Sequence, residues 1–324
     1  MVAITVVALL AFTTARPPPR PPLPIPNGFD DFLAACDAIK GDLELANSST
    51  NDLGVLTRRD IVAPNAEPLR LLRLGLSRRC AVPSEANFTN HQDRIKAHRL
   101  RGLCILLAAE GQLAELEKRP ADAARTYVDA IHFGNEVGRG SFLINDQVGR
   151  PCAASGSDGL AKLVPGLACE EARPLITRLE NIDGERMSWD EVWRIERAYD
   201  TQFLHKSANP IKWVTGLWWT RRLRQFEESR YNIALARLRL LRTELSLRCY
   251  LAEQGRAPNR LEQLVPKYLQ NVPFDPFGGN PLVYRAQGTN WLLYSVGKDG
   301  VDDGGKRVGT SPASKGDLFF DSPT

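Results

Sequence analysis

Four aspartates near the C-terminal end are the residues of this sequence best placed to do chemistry. Asp299, Asp302 and Asp303 lie in a glycine-rich loop that directly follows a short apolar segment, and Asp317 comes soon after. Carboxylates this close together repel one another unless water or a cation lies among them. Carboxylate and carbonyl oxygens are the ligands that calcium takes in proteins. Two interpretations follow: a hard-metal site, or a solvated Asp-Gly turn.

Two short strands and a long helix are predicted to hold this loop. Residues 282–285 and 291–296 are apolar segments separated by a polar turn at 287–290, which is typical of an antiparallel hairpin. Upstream, apolar residues recur at helical spacing over 221–253, and the arginines of that helix are expected on a solvated face, with binding of an acidic partner as the alternative. The predicted fold class is α+β: a mainly helical N-terminal domain, then a long helix packed on a small antiparallel sheet.

A pair of helices is predicted in the N-terminal half. An amphipathic pattern runs from His91 to Leu116, a proline breaks it at Pro120, and a second helical pattern runs from Ala121 to Val137. The pair resembles one tetratricopeptide repeat on five residues at that family's spacing: Leu107, Gly111, Ala123, Tyr127 and Ala130. A generic helical hairpin is the alternative. The small residues Gly111 and Ala123 would let the two helices approach closely, and the helical domain is expected to bind a protein partner.

A capping box and a group of tryptophans follow. Ser188-Trp-Asp-Glu191 predicts a helix from Trp189 to about Phe203. Beyond it, Trp213, Trp218 and Trp219 lie beside arginines. This composition is typical either of buried packing or of contact with a membrane surface, and stacking on nucleic-acid bases is a weaker alternative.

The first residues are predicted to be a leader followed by a spacer. Residues 1–15 form a short apolar run that ends at small residues suited to signal-peptide cleavage, so a signal peptide or a truncated membrane anchor is expected. Residues 16–27 are rich in proline and are predicted to form an extended linker. The chain is therefore expected to be exported or anchored in the cell envelope on its periplasmic side, with the cytoplasm as the alternative.

Composition and motifs narrow the classes of function. A length of 324 residues favours two folded units, and a net charge of +4 gives no case for nucleic acid as a partner. The six cysteines have no metal-ligand spacing and are expected to be buried free thiols, with one disulfide as the alternative in an exported protein. Because the sequence has no nucleophile elbow, phosphate-binding loop or HExxH motif, no catalytic residue is predicted.

An ordered set of motifs fills the last third of the chain. It consists of Leu251-Ala-Glu-Gln-Gly-Arg-Ala-Pro258, Leu261-Glu-Gln-Leu-Val-Pro-Lys-Tyr-Leu269, Pro273-Phe-Asp-Pro-Phe-Gly278, Asn280-Pro281, Tyr284, and Tyr294-Ser-Val-Gly-Lys-Asp-Gly300. In this order the motifs resemble the globular part of the major pseudopilin of type II secretion. The predicted domains are therefore a helical domain at 28–220 and a pseudopilin-like α+β domain at 221–324.

The resemblance also implies a calcium site. In that family the loop after the last long strand binds calcium through aspartates and backbone carbonyls. Carried onto this sequence, Asp299 is the best ligand candidate, Asp317 matches the later aspartate, and the Val296 carbonyl contributes. Asp302 and Asp303 lie where they can support the site.

The predicted function is that of a non-catalytic, envelope-associated structural or interaction protein with a calcium-stabilised C-terminal module. A pseudopilin-like assembly component of type II secretion is the first alternative. An enzyme that uses a pocket in the helical domain is the second.

Overall fold

The computed structural model of the chain describes residues 22–41, 43, 55–83, 91–140, 143–204, 210–309 and 315–322. Within its helices, the side chains of residues 55–56, 91–98, 143–147, 198–204 and 210–221 lie outside that description. The predicted leader at 1–15 and residues 16–21 of the predicted linker also lie outside the described residues.

The described chain is mostly helical (63%) with a small two-stranded antiparallel sheet, which confirms the α+β class at this coarse level. The α-helices are α1 (Gly28–Asp37), α2 (Val55–Val62), α3 (Ala66–Leu76), α4 (His91–Leu116), α5 (Pro120–Val137), α6 (Leu143–Leu163), α7 (Cys169–Glu185), α8 (Trp189–Leu204) and α9 (Pro210–Gln254). Short 3-10 helices occupy Ala63–Asn65, Val164–Gly166 and Leu261–Leu264.

The predicted helical hairpin is confirmed as α4 and α5. Pro120 takes the first position of α5, where the missing N–H would have had no partner within the helix. The Tyr127 ring of α5 packs on Gly111 of α4, since a Cβ atom built on Gly111 would lie 2.5 Å from the ring. Glycine is therefore needed for this approach, as the sequence predicted. The assignment to a tetratricopeptide repeat stays a prediction.

An N-terminal core joins the first helices. Phe29 and Phe32 of α1, Leu72 of α3, Leu103 of α4 and Phe133 of α5 are fully buried in one cluster. The Phe32 and Phe133 rings meet edge to face at 4.9 Å, a favoured geometry for aromatic pairs. This cluster fixes α3 and α5 relative to each other, and both helices line the cleft described below.

A second core joins helices α5, α6, α7 and α9 to the sheet. Its buried members include Tyr127, Leu160, Leu179, Leu241 and Leu293. Residues on both sides of position 220 contribute to it, so the helical part and the C-terminal module share packing. The division of the chain at that position stays a prediction.

Helix α9 begins earlier than predicted, and two of its arginines are buried. Arg237 is 1% exposed and Arg242 is 4% exposed. Arg237 donates a hydrogen bond to Asp158 of α6 at 2.6 Å, and the Arg242 Nη1 atom lies 3.1 Å from an Asp183 oxygen on α7. The expectation of a solvated arginine face is wrong at these positions, because α6 and α7 cover this side of α9 and supply carboxylates.

The sheet is a hairpin of β1 (Val283–Gln287) and β2 (Asn290–Tyr294). Val283 pairs with Tyr294 and Gln287 with Asn290, so the hairpin predicted between these segments is confirmed. Directly after β2, Ser295 forms an isolated antiparallel bridge with Leu318. This bridge brings the end of the described chain back beside the aspartate loop.

Candidate functional site

Asp317 packs against the aspartate loop, the glycine-rich segment that carries Asp299, Asp302 and Asp303. Its carboxylate is fully buried and accepts hydrogen bonds from the backbone N–H of Gly305 at 2.7 Å and of Asp303 at 3.4 Å. Burial raises the pKa of Asp317, and the negative charges of Asp302 and Asp303 raise it further. Three of the four predicted aspartates, Asp302, Asp303 and Asp317, are thus close enough for their charges to interact.

Asp302 is held by neighbours within the sheet and the loop. Its Oδ1 accepts from the Tyr294 hydroxyl at 2.6 Å and from the Gly304 N–H at 2.9 Å, and its Oδ2 accepts from Arg285 at 3.1 Å. The hydrogen bond from Tyr294 is the main reason why the pKa of Asp302 is lowered. Asp302 therefore stays charged near the Asp317 carboxylate.

The other predicted ligands lie at the edges of this cluster. Asp299 is half-buried, and its Oδ1 lies 3.4 Å from the Val301 nitrogen, which donates to it. Asp303 is exposed. The Val296 N–H is held by Asp275 at 2.8 Å. Among the described contacts of the loop, none joins Asp299 to Asp317.

Asp275 organises the start of the loop and was not among the predicted site residues. It is 2% exposed, and its two oxygens accept from the Phe277 N–H, the Ser295 hydroxyl and the Val296 N–H at 2.8–2.9 Å. The signal in the sequence was the Asp275-Pro-Phe-Gly278 turn, in which an aspartate typically bonds the backbone two residues on.

The donor chemistry of the loop suits calcium, since all predicted ligands are oxygens. A buried carboxylate with a raised pKa beside two further charges is also what a cation would stabilise. Among the described residues, no group of three or more His, Cys, Asp or Glu side chains is already arranged to hold a metal ion. Calcium binding stays a prediction.

A cleft in the helical domain brings together many charged side chains. Its volume is about 1350 Å³, and it opens between α3, the α4–α5 hairpin and α7. Seven arginines line it: Arg73, Arg78, Arg79, Arg119, Arg125, Arg139 and Arg178. Five carboxylates face them: Glu110, Asp122, Asp129, Glu136 and Glu185. The lining therefore carries an excess of positive charge.

Asp129 is the central carboxylate of the cleft. It is buried on α5 and accepts from Arg73 of α3 at 2.8 Å and from Arg178 of α7 at 2.6 Å. Arg73 also donates to Glu110 of α4, and the Thr126 hydroxyl donates to the same carboxylate at 3.4 Å. This network fixes four helices around the cleft.

His132 and Glu136 lie one turn apart on α5 and line the same cleft. The His132 Nε2 atom is 3.8 Å from a Glu136 oxygen. Burial lowers the pKa of His132 to about 4, and the positive charge of Arg178 lowers it further, so the imidazole is neutral near pH 7. Burial raises the pKa of Glu136, while Arg139 donates to it at 2.5 Å. A neutral imidazole thus lies beside a buried carboxyl group that pairs with Arg139.

The sequence held a signal for this cleft. Asp129, His132 and Glu136 follow one another at spacings of three and four residues, which places them on one face of α5. That polar face was not predicted as a site. Its partners come from helices far away in sequence, which helical periodicity alone does not place.

The predicted membrane contact falls on residues whose side chains are outside the description. Trp213, Trp218 and Trp219 belong to the first turns of α9, and only their backbone is described. Within the described residues, no helix combines the length and the apolar character needed to cross a bilayer.

Comparison of the chain with protein-family models, with curated proteins and with solved structures finds no match.

Proposed function

We propose that this chain is a non-catalytic structural or interaction protein of the cell envelope, and that its helical domain binds a protein partner in the arginine-lined cleft. The observation that carries the proposal is the cleft itself, an open volume of about 1350 Å³ with seven arginines and five carboxylates in its lining. A volume larger than that of typical small-molecule pockets favours a protein segment as occupant.

The charges of the cleft favour a partner that presents acidic residues. Glu110, Asp129 and Glu136 each accept hydrogen bonds from an arginine, so they are engaged within the domain. Arg79 is exposed, and the Arg125 side chain, which donates to Asp122, is 60% exposed, so both guanidinium groups are accessible to a partner. Guanidinium groups bind carboxylates with two parallel hydrogen bonds, which gives orientation as well as attraction.

Site-specific photo-crosslinking tests this function. A photoreactive amino acid is placed at position 79 or 125 of the full chain, expressed in its native host, with position 256 as the control. Arg256 is exposed and is not part of the cleft lining. A defined protein adduct from the cleft positions and none from position 256 supports the proposal. Identical adducts from all three positions, or none from the cleft, overturn it.

The C-terminal module is proposed to be a calcium-stabilised, pseudopilin-like unit. Its support is the order of motifs from 251 to 300, the long helix α9 packed beside the hairpin, and the buried Asp317 with charged neighbours. When bound, the cation would supply positive charge to the loop, with Asp299, Asp317 and the Val296 carbonyl as ligands and Asp302 and Asp303 in support. Assembly in a type II secretion apparatus is the alternative role for this module.

One observation favours the second alternative, an enzyme that uses the cleft. Neutral His132 beside buried Glu136 is a pairing suited to general acid–base catalysis. A panel of chromogenic ester, phosphate and glycoside substrates separates the two functions. Turnover that is lost in His132→Gln would favour the enzyme, and no turnover together with the cleft-specific adduct would favour the binding protein.

A further inference from the structure

Two of the six cysteines lie against each other where α7 meets the end of α9. Cys169 is the first residue of α7, and Cys249 lies in the last turns of α9. The Cys249 thiol donates to the backbone carbonyl oxygen of Cys169 at 3.7 Å. Both residues are free thiols in the structure.

The surroundings hold this pair in place. Cys249 is 1% exposed within the second core, and half-buried Cys169 packs against that core. Glu253, one turn after Cys249, accepts a hydrogen bond from Arg173 of α7 and one from the Cys169 thiol at 3.7 Å. The ion pair therefore fixes the two helices at the point where the thiols meet.

We propose that Cys169 and Cys249 form a disulfide bond under oxidising conditions, and that this pair is a modification site that ties α7 to α9. Disulfide geometry is narrow, so two cysteines can be joined only where the backbone already brings their side chains together. Here the Cys249 thiol already contacts the main chain of Cys169, so the two side chains start close together. The bridge would close a loop across 80 sequence positions, and crosslinks over long loops restrict the unfolded chain most.

The oxidant is a low-molecular-weight disulfide, and the reaction begins at the accessible thiol. The Cys169 thiolate attacks one sulfur of that disulfide, forms a mixed disulfide and releases one small thiolate. Cys249 then gives its proton to this thiolate and attacks the Cys169 sulfur, which expels the second small thiolate. Two protein thiols are oxidised and one external disulfide is reduced to two thiols. Cys249 is 1% exposed whereas Cys169 is half-buried, so Cys169 reacts first.

A second cysteine pair serves as the internal control. Cys104 packs against the N-terminal core, in which Cys152 is fully buried. The Cys104 thiol donates to a backbone carbonyl of α4 at 3.6 Å and to one of α6 at 3.9 Å. Substitution of Cys104 should therefore leave the chemistry of the proposed pair unchanged.

The test treats the full chain with glutathione disulfide and maps disulfides by mass spectrometry of a non-reduced digest. We expect a peptide pair that joins Cys169 to Cys249, and a rise in Tm on the order of 5 °C that a reductant reverses. Cys169→Ser should lose both effects, and Cys104→Ser should keep both. Because Cys169 is only half-buried, this variant decides the question even if Cys249→Ala fails to fold.

A stable glutathione adduct on Cys169 without the linked peptides would overturn the proposal. A bridge between Cys104 and Cys152 in its place would overturn it as well, as would a Tm rise that Cys169→Ser retains.

Discussion

Arg73 and Asp129 join α3 to α5 across the cleft, with the Arg73 Nε atom 2.8 Å from Asp129 Oδ2. Arg178 of α7 binds the other oxygen of the same carboxylate. One buried side chain therefore links three helices that are distant in sequence, and the shape of the cleft depends on it.

Asp129→Asn should destabilise the protein. The change removes the charge that two arginines share, and it places an amide donor where an acceptor is needed. Hydrogen bonds to charged groups contribute about 1.5–3 kcal/mol each, so a loss of that order is expected in urea unfolding. Glu67→Gln is the matched control, because its pair with Arg70 is exposed on both sides and should change stability little. Equal effects of the two substitutions would contradict the network.

Gly111→Ala should also destabilise the protein, although alanine favours helices over glycine. The added methyl group would lie 2.5 Å from the Tyr127 ring, and overpacking of this kind typically costs about 1–3 kcal/mol. Gly184→Ala in α7 is the control, since a Cβ atom added there would have no neighbour within 4 Å. That variant should gain up to about 1 kcal/mol from helix propensity. Thermal unfolding of both variants checks the difference, and a stabilised Gly111→Ala would disprove the close packing.

The pH dependence of stability should carry a contribution from His132. Its pKa is about 4 in the folded chain and about 6.5 when unfolded, so the folded state disfavours its protonation. The contribution of His132 to stability is therefore fully present above about pH 6.5. It is lost as the pH falls towards 4, by an amount on the order of 3 kcal/mol. His132→Gln should flatten the stability curve in this window.

Glu136 needs its own control in that experiment. Burial raises the pKa of Glu136, so the folded state binds its proton more tightly than the unfolded state does. Its contribution to stability therefore rises as the pH falls, which is opposite to that of His132. In a Glu136→Gln background the effect of His132→Gln should remain. If the flattening disappears in that background, the effect belongs to Glu136.

Calcium should raise the Tm, and a chelator should return it to the starting value. A ligand that binds only the folded state stabilises it by mass action. Asp299→Ala and Asp303→Asn should each reduce the shift, and both positions are accessible enough to tolerate substitution. Glu262→Ala, at an exposed position of the same module, should keep it. An unchanged Tm on addition of calcium would contradict the proposed calcium site in this loop.

The elements that could be predicted from the sequence are those specified by local chemistry. The helical hairpin is specified locally. Pro120 lacks an N–H and so begins a new helix, and Gly111 lacks a side chain and so admits the Tyr127 ring of the next helix. The strands around residues 287–290 were predicted for a similar reason, since polar turn residues separate two apolar segments.

The parts that could not be predicted depend on partners far along the chain. Arg237 and Arg242 look like surface residues until Asp158 and Asp183 are brought against them by helix packing. The cleft was not predicted for the same reason: its charged residues belong to helices that are far apart in sequence and meet only in the folded chain.

The affinity of the crosslinked partner for the purified chain is the most direct test of the proposed function. Arg79→Glu combined with Arg125→Glu reverses two accessible charges of the cleft without touching Asp129, and Arg256→Glu is the matched control. We expect the double variant to bind about tenfold more weakly or worse, and the wild-type affinity to fall with added salt. Equal affinities of the wild type and the double variant would contradict binding in the cleft.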